Sequence, residues 1–502
     1  MKQFNLFRNI LTIIILQSSF NFAVSQKLYR QKHKLNTALY VLKHDSKLKN
    51  AGIAFYAVDL STKEVLAKLN PDLALAPAST QKLITTATAF EVLGAKYHFK
   101  TRLEYTGKID TAKRILYGNL IIKGGGDPSL GSKYFTNKSN KDAFLNSWAD
   151  AVRAAGIDSI TGYVIGDARL YSYDMVPPTW SWEDMGNYFG AGACGLTCFD
   201  NSYTLTFKTP TKIGKLTEII DISPEIEGLK IENTVVSGKT HSDLSYIFGL
   251  PYTYFRFIRG MLPKGKKDYE VRGAMPDPAY FLTKKFCEKL DLYNVKIANQ
   301  PTTFRISPEL AKADTVKHKV LKTKYSVSLS ELIKKTNHIS INLYAEHFLN
   351  HVAAKRRKKK GTKEACKFIE NFWAMKGMNT GGLSLNDGSG LSRYNTVTAK
   401  QMVFLLNYMK NKSKYSKEFY ESMAIVGKKG TVRRMLRNTS AAGNMRAKSG
   451  SIRSVRCYAG YVKTKSGRDV AFSIMLNNFN CSSTKARKKI EKVLKALADF
   501  DK

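Results

Sequence analysis

The spacing of hydrophobic residues changes twice along this chain of 502 residues. In the part that follows residue 25, the spacing predicts a helix over residues 28–48 and a β-hairpin over residues 53–69. A second, apolar helix is predicted to begin near Pro77 and to end at Gly94. The first part of the chain therefore has the order helix, hairpin, helix.

Between residues 97 and 322 the spacing shortens to a period of two, which is typical of half-buried strands. Glycine, proline, asparagine and aspartate separate the strand-like segments, as expected for turns. These segments cover residues 97–105, 115–128, 160–171, 203–211 and 252–262. We therefore expect a β-rich region here, built as one or two subdomains.

From residue 323 the helical period returns. Helices are predicted over residues 329–354, 363–377, 398–411 and 484–500, and consecutive strands over residues 445–479. The two ends of the chain together predict one α/β (α+β) domain, an antiparallel sheet flanked by helices, which a β-rich insertion interrupts. The two parts of this domain span residues 26–96 and 323–502, and the insertion spans residues 97–322.

Residues 1–25 have the features of a secretory signal peptide. Lys2 and Arg8 make a basic start, residues 10–16 form a short apolar run, and residues 23–25 offer small side chains for cleavage. The apolar run is too short to span a bilayer. We expect a mature chain that crosses the inner membrane and is soluble in the periplasmic or cell-wall space.

Six cysteines leave the redox state open. Export permits disulfides and the even number allows them, whereas free, buried thiols fit the spacing equally well. The spacing matches no zinc-binding pattern. The cysteines are Cys194, Cys198, Cys287, Cys366, Cys457 and Cys481.

The formal net charge of +41 attracts polyanions. For an exported protein these are anionic wall polymers or a membrane surface, and we expect no nucleic-acid partner. The basic run at residues 355–363 is interpreted as a solvated loop or helix end.

Ser79 and Lys82 lie three residues apart at the predicted start of the apolar helix, a spacing that brings both side chains to one face. A serine hydroxyl becomes a nucleophile only when a base takes its proton. A lysine can be that base when burial or a nearby cation lowers its pKa from about 10.4. The same spacing recurs at Ser46–Lys49 and Ser482–Lys485, so the pair alone is weak evidence.

Two further short motifs follow in a fixed order. Ser340–Asn342 offers a second serine that could relay a proton and an amide that could hold a substrate carbonyl. Lys448–Gly450 lies on a predicted strand and is followed by Ser451. Each motif has a second copy, at Ser384–Asn386 and at Lys465–Gly467, and the latter is predicted to be a hairpin turn. The order S-x-x-K, S-x-N, K-[TS]-G is typical of penicillin-interacting serine acyl transferases.

With these motifs the chain resembles the peptidase S13 family of D-alanyl-D-alanine carboxypeptidases/endopeptidases, the low-molecular-mass class C penicillin-binding proteins. Stretches that add to the resemblance are "YGNLIIKGGGDPSLGS" (117–132), "NLYAEHFL" (342–349), "NDGSGLSRYN" (386–395) and "GTVRRML" (430–436). One departure is Ser449, where threonine is commoner, and it keeps the hydroxyl.

The resemblance implies a serine β-lactamase/transpeptidase-like fold and an exported serine D,D-peptidase. Such an enzyme cleaves D-Ala-D-Ala in peptidoglycan stem peptides, and cleavage of D-Ala–diaminopimelate cross-links is a second expectation. It binds penicillin and other β-lactams as acylating inhibitors, with no cofactor and no metal.

Five residues take catalytic roles by this resemblance. Ser79 attacks the carbonyl between two D-alanines and Lys82 accepts its proton. Ser340 relays a proton to the leaving group, and Asn342 holds the acyl side chain. Lys448 keeps Lys82 neutral by like-charge repulsion.

Four residues take substrate-binding roles by the same resemblance. Ser449, together with the lysine before it, meets the terminal carboxylate of the substrate. Gly450 leaves room for substrate beside the strand. The backbone N–H of Ser451, with that of the nucleophile, forms the oxyanion hole. Asp167, in the insertion, faces the free amino end of the stem peptide.

Four other functions remain weaker alternatives. A Ser-His-Asp hydrolase lacks its G-x-S-x-G elbow here. His347 and His351 have the spacing of a zinc peptidase but lack the glutamate of H-E-x-x-H, so buried or surface histidines are expected instead. A β-lactamase-like hydrolase shares the chemistry but not the large insertion. A non-catalytic, basic wall-binding protein would have lost one of the motif residues, and all are present.

Overall fold

The computed structural model describes residues 33–137, 140–357 and 361–501. The predicted signal peptide at residues 1–25 lies outside these ranges. Among the described residues, no helix combines the length and the apolar character that a bilayer crossing requires.

The first part of the chain follows the predicted order. Its elements are α1 (33–43), β1 (Gly52–Asp59), β2 (Val65–Leu69) and α2 (Lys82–Leu93). Gly94 ends α2 with a φ of 91°, a left-handed conformation that glycine adopts without strain. The hairpin and the helix stop are thus confirmed.

The insertion contains more helix than the sequence predicted. Its strands are β3 (Lys100–Tyr105), β4 (Lys108–Asp110), β5 (Ile115–Tyr117), β6 (Leu120–Lys123), β7 (Ser159–Ile160), β8 (Val164–Asp167), β9 (Ser202–Lys208), β10 (Glu218–Ser223), β11 (Lys230–Asn233), β12 (Val236–Gly238), β13 (Tyr246–Phe248), β14 (Phe255–Arg259), β15 (Met261–Pro263), β16 (Tyr269–Ala274), β17 (Lys296–Ile297), β18 (Thr302–Thr303) and β19 (Lys319–Tyr325). Its helices are α3 (Ala143–Ala154), α4 (Trp182–Met185), α5 (Pro278–Leu292) and α6 (Pro308–Ala313). Trp148 of α3 and Phe286 of α5 meet edge to face in its core, with ring centroids 5.6 Å apart.

The last part returns to the first domain. Its elements are α7 (Leu329–Ile339), α8 (Asn342–Arg357), α9 (Thr362–Met375), α10 (Ala399–Asn411), α11 (Ser416–Ser422), β20 (Ala424–Ile425), β21 (Met445–Ile452), β22 (Val455–Lys463), β23 (Asp469–Asn477) and α12 (Ser483–Ala498). The helix predicted over residues 329–354 is two helices, because Ser340 has a left-handed φ of 65° between them. The other predicted helices and strands of this part are confirmed.

A six-stranded antiparallel sheet joins the two ends of the chain. Its order is β2-β1-β23-β22-β21-β20, so the first hairpin pairs with a strand formed more than 400 residues later. Successive residues of each strand face opposite sides, which gives the sheet two apolar faces. One face packs against α2 and α7 to α11, and the other packs against α1 and α12.

The insertion leaves and rejoins this domain at one place. Its first strand, β3, pairs with its last strand, β19, in an antiparallel ladder from Lys100↔Tyr325 to Tyr105↔Lys319. Leu329 then donates its backbone N–H to the carbonyl of Tyr97. The first and last strands of the insertion are therefore adjacent, close to the start of α7.

Candidate active site

Ser79 lies on a tight turn at the start of α2. Residues Ala78–Gln81 form a 3₁₀ turn and Lys82 is the first residue of the α-helix, so the two side chains meet across the junction rather than along one α-helix. Lys82 Nζ lies 3.0 Å from Ser79 Oγ. Ala78 has a left-handed φ of 45°, a strained conformation for a residue with a Cβ, and such strain clusters at functional sites.

Lys82 is completely buried and is held by three acceptors. Besides Ser79, its ammonium nitrogen lies 2.6 Å from Asn342 Oδ1 and 2.7 Å from the carbonyl oxygen of Ser389. Burial lowers the pKa of Lys82 to about 7, although the charges of Asp387 and Glu346 act to raise it. A large fraction of this amine is therefore neutral near pH 7 and can accept a proton.

The S-x-N motif occupies the break between α7 and α8. The backbone N–H of Ser340 donates to Thr336 O and ends α7, and Asn342 begins α8. While Asn342 Oδ1 faces Lys82, its Nδ2 donates to Phe189 O of the insertion at 2.8 Å. These two bonds fix the orientation of the amide, and the insertion supplies one of them.

Lys448 enters the site from β21. Its Nζ donates to Ser340 Oγ and to Ser449 O, both at 2.8 Å, and the residue is completely buried. Burial lowers the pKa of Lys448 well below its usual value, and the charge of Lys82 lowers it further. The sequence predicted that Lys448 keeps Lys82 neutral by repulsion; burial is instead the main cause for both amines.

Gly450 lets β21 approach the turn that carries the nucleophile. A Cβ at this position would lie 2.5 Å from Pro77 O and 3.1 Å from Ser79 N. The prediction that Gly450 leaves room for substrate is therefore corrected: the space is occupied by the backbone of the turn. The close approach brings the N–H of Ser79 next to the edge of β21, where an oxyanion hole needs two donors.

The outer edge of β21 is open beside Ser449 and Ser451. β20 pairs only with Arg446 and Ala447, so the next residues have no strand on that side. Ser449 Oγ donates to Thr431 Oγ1 at 2.7 Å. A cleft of about 260 Å³ follows this edge and is lined by Ser79, Ser340, Thr431, Ser449, Ser451, Arg456, Tyr458 and Arg487.

Two buried carboxylates behind Lys82 were missed by the sequence analysis. The carboxylate of Asp387 accepts from Gln81 Nε2, Trp180 Nε1, Gly390 N, Ser392 N and Asn395 Nδ2. The carboxylate of Glu346 accepts from the backbone N–H groups of Gly388 and Ser389. Burial, together with the charge of Asp387, raises the pKa of Glu346 to about 8. The signals in the sequence were the stretches "NLYAEHFL", which contains Glu346, and "NDGSGLSRYN", which contains Asp387; both were interpreted only as part of the family resemblance.

Asp167 differs from the other predicted site residues, because its side-chain contacts lie within the insertion. It ends β8, and its carboxylate accepts two bonds of 2.9 Å from the guanidinium of Arg169. Arg169 also pairs with Asp314. A contact with the amino end of a stem peptide stays a prediction for Asp167, and it would have to compete with Arg169.

The histidines of the rejected zinc alternative are structural. His347 contacts Gly126 O and Thr197 Oγ1, and His351 contacts Tyr97 Oη, all at 2.8–2.9 Å. Burial lowers the pKa of both histidines to about 3, so both are neutral. Within the described ranges, no group of three or more His, Cys, Asp or Glu side chains is arranged to hold a metal ion. The six cysteines are free thiols.

The arrangement provides a serine nucleophile, a buried amine with a pKa of about 7 as its base, a second serine hydroxyl that is hydrogen-bonded to a lysine, and an open strand edge. This set fits acyl transfer through a serine ester. Comparison with known proteins points to the same chemistry. The "D-alanyl-D-alanine carboxypeptidase" of Actinomadura sp. is 28% identical over 444 residues, covering 86% of this chain and 79% of that protein. "D-alanyl-D-alanine carboxypeptidase DacB" of Haemophilus influenzae is 24% identical over 447 residues, covering 88% of each.

A solved structure shares the fold. The crystal structure of penicillin binding protein 4 (dacB) from Haemophilus influenzae matches with a TM-score of 0.74 at 22% identity, covering 92% of this chain and 99% of that one. The sequence profile of one family, D-Ala-D-Ala carboxypeptidase 3 (S13), matches residues 35–499. The chain therefore belongs to the D-Ala-D-Ala carboxypeptidase 3 (S13) family.

Proposed function

We propose that this protein is an exported serine D,D-peptidase that cleaves the D-Ala-D-Ala bond of peptidoglycan stem peptides through an ester on Ser79. The observation that carries the proposal is the contact of 3.0 Å between Ser79 Oγ and the buried amine of Lys82, whose pKa is about 7. Family membership supplies the reaction class, and this contact supplies the nucleophile and its base.

The contacts around Ser79 support the following acylation step. Neutral Lys82 takes the proton of Ser79, and the serine oxygen attacks the carbonyl carbon between the two D-alanines. The N–H groups of Ser79 and Ser451 stabilise the negative charge that develops on the carbonyl oxygen. Ser340, held by Lys448 at 2.8 Å, passes its hydroxyl proton to the departing nitrogen as the C–N bond breaks, and the proton that Lys82 took from Ser79 replaces it.

Deacylation regenerates the enzyme when water attacks the ester and Ser79 recovers its proton. Asn342 holds the acyl side chain near the cleft, and Ser449 meets the terminal carboxylate at the edge of β21. Cleavage of D-Ala–diaminopimelate cross-links is the second activity that we propose, since the open strand edge would admit a longer leaving group.

Binding of β-lactams is part of the proposal. A β-lactam presents a strained amide to the same nucleophile and would leave an ester on Ser79. The structure of penicillin binding protein 4 from Haemophilus influenzae has also been solved "complexed with novel beta-lactam", and that structure matches this chain with a TM-score of 0.73. Export through residues 1–25 and the division of the mature chain at residues 97 and 322 complete the proposal.

The test is labelling with a fluorescent penicillin. The mature protein should take up the label, Ser79→Ala should take up none, and Lys82→Ala should label at least 10²-fold more slowly, since general-base catalysis contributes about 10²- to 10⁴-fold. Ser46→Ala is the matched control, because it removes an exposed serine from the same S-x-x-K spacing. Label that persists in Ser79→Ala would overturn the proposal, and rapid loss of label with turnover of penicillin would favour a β-lactamase.

A further inference from the structure

The cleft at Ser79 continues past Ser449 and Ser451 to two arginines. Arg456 lies on β22 and is the residue paired with Ser451 across the ladder. Arg487 projects from α12, which packs against the same face of the sheet. Nothing in the sequence motifs pointed to either residue.

The two arginines are not fully neutralised by their neighbours. One carboxylate, Glu491, lies near them, with its Oε1 3.4 Å from Arg487 Nε. Arg456 Nε, Arg487 Nε and Glu491 Oε1 are buried, and none has a hydrogen-bond partner in the described part of the chain. A guanidinium with free donors beside a cleft is suited to a planar carboxylate, which it can bind through two parallel hydrogen bonds.

The substrate supplies a carboxylate that needs a positive partner. A stem peptide ends in the carboxylate of D-alanine, one residue beyond the bond that Ser79 attacks. Lys448 is a poor source of positive charge for it, since burial favours its neutral amine. An arginine stays charged at any physiological pH, and among the residues that line this cleft the two arginines are the only cations.

We propose that Arg456 and Arg487 form a carboxylate subsite that holds the leaving residue of the substrate beside Ser449. This inference rests on the proposed D,D-peptidase function and assigns its specificity for a free carboxyl end. Arg456 lies one strand behind the open edge, so its guanidinium reaches the cleft from the side of β22. Arg487, on α12, adds a second positive charge to the subsite, and Glu491, on the same helix, partly offsets that charge.

The test compares two substrates that differ only in charge. A diacetylated Lys–D-Ala–D-Ala peptide ends in a carboxylate, and its carboxamide analogue ends in a neutral group. For the carboxylate peptide, Arg456→Gln and Arg487→Gln should each lower kcat/KM by about 10- to 100-fold, the value of a hydrogen bond to a charged group. For the carboxamide, the same variants should match the unsubstituted protein within about twofold.

Three further variants make the result specific. Arg453→Gln removes an exposed arginine from the neighbouring hairpin and should leave both substrates unchanged. Glu491→Gln should raise kcat/KM for the carboxylate peptide, an effect of opposite sign that a misfolded variant would not produce. Arg456→Lys should recover part of the loss. If Arg456→Gln does not fold, Arg487→Gln, on the half-buried side of a helix, carries the test.

Fluorescent penicillin separates this proposal from the one on which it rests. If the unsubstituted protein neither labels at Ser79 nor cleaves either peptide, the D,D-peptidase function itself is overturned. If that protein labels and prefers the carboxylate peptide, and both arginine variants keep this preference, the subsite is overturned. Loss of the preference in the arginine variants, with labelling of Ser79 retained, supports it.

Discussion

At Lys82, three influences act on the pKa of one amine. Burial removes water from the ammonium form and lowers the pKa, whereas Asp387 and Glu346 stabilise that form and raise it. Lys448 is also buried and favours its neutral form, so it places little charge beside Lys82. The balance leaves a base whose neutral form dominates only above about pH 7.

The pH dependence of acylation follows from this balance. Because neutral Lys82 is the base, the second-order rate constant for labelling by penicillin should rise about tenfold per pH unit below the midpoint and level off above it. The midpoint should lie at about pH 7. Stopped-flow or gel-based labelling at pH values below and above this midpoint measures the rate constant. A rate constant that falls as pH rises through neutrality would contradict the assignment of Lys82 as the base.

The Lys448→Met variant distinguishes burial from repulsion by Lys448 as the cause of the low pKa of Lys82. Methionine fills the same buried space without a charge, so the midpoint should stay near pH 7 while the rate constant drops by roughly 10²-fold, because Ser340 loses its donor. A midpoint that moves towards pH 10 would instead show that repulsion from Lys448 sets the pKa. Lys465→Met, in the second K-S-G sequence, should change neither quantity.

The close approach at Gly450 predicts that a larger residue would increase the distance between β21 and the turn that carries Ser79. The Cβ of Gly450→Ala would meet the backbone at Pro77 O and Ser79 N, at 2.5 and 3.1 Å, so β21 and the turn must move apart. We expect kcat/KM to fall about 10²-fold, the effect of a displacement near 1 Å at a reacting group. The melting temperature should also fall, since overpacking costs about 1–3 kcal/mol.

Gly467→Ala is the matched control, since it lies in an identical K-S-G tripeptide. No heavy atom lies within 4 Å of its Cβ position, but its φ of 79° strains any residue with a side chain. It should therefore lose about 1–2 kcal/mol of unfolding free energy and keep its kcat/KM. Equal loss of activity in both variants would mean that Gly450 acts only through stability.

At the scale of elements, hydrophobic periodicity predicted the helices and strands that pack on the large sheet. It did not predict the break at Ser340, because serine is not a helix breaker and both α7 and α8 contribute apolar residues to the same core. It also overlooked α3 and α5, the helices that carry Trp148 and Phe286, because strand-like segments with a period of two dominate the region. The order of the three motifs predicted Ser79, Lys82, Ser340, Asn342 and Lys448 as neighbours, and the structure brings these residues together.

The buried carboxylates of Asp387 and Glu346 could not be predicted from the order of motifs. Asp387 depends on donors from the turn before α2, from its own loop and from the insertion, and no local sequence pattern indicates such a set. Trp180 is the donor from the insertion. Its indole N–H lies 2.9 Å from Asp387 Oδ2 and connects the insertion to the loop whose Ser389 carbonyl holds Lys82.

This connection predicts that the insertion stabilises the active site. Trp180→Phe removes a hydrogen bond to a buried carboxylate and should lower the free energy of unfolding by about 1.5–3 kcal/mol. It should also lower kcat/KM, because the loop that carries Ser389 loses a support. Trp182→Phe is the control: its side chain is 57% exposed, so its effect should stay within about 0.5 kcal/mol. Urea unfolding and penicillin labelling measure both effects.

At the scale of the whole molecule, the active site is built from segments that lie far apart in the sequence. Ser79 comes from the first part, Ser340 and Lys448 from the last, and the carbonyl of Phe189 from the insertion. A second contact, 2.8 Å between Tyr97 Oη and His351 Nε2, joins the start of the insertion to α8. The insertion therefore contributes directly to the orientation of Asn342.

The net positive charge is also a property of the whole molecule. Lys and Arg number 81 against 40 Asp and Glu, which gives the net charge of +41. The site itself contains few of these cations, and burial lowers the pKa of two of them, Lys82 and Lys448. The remaining cations give the protein a positive field, which predicts association with polyanions.

Association with an anionic surface should therefore be strong in low salt and lost in high salt. The screening length falls from about 30 Å at 0.01 M to about 3 Å at 1 M salt, so the attraction of many dispersed charges disappears across this range. Cosedimentation of the mature protein with phosphatidylglycerol vesicles should show retention at the low concentration and release at the high one. Phosphatidylcholine vesicles should retain none at either concentration. Retention that persists in 1 M salt would mean that apolar contacts, rather than the net charge, hold the protein at the surface.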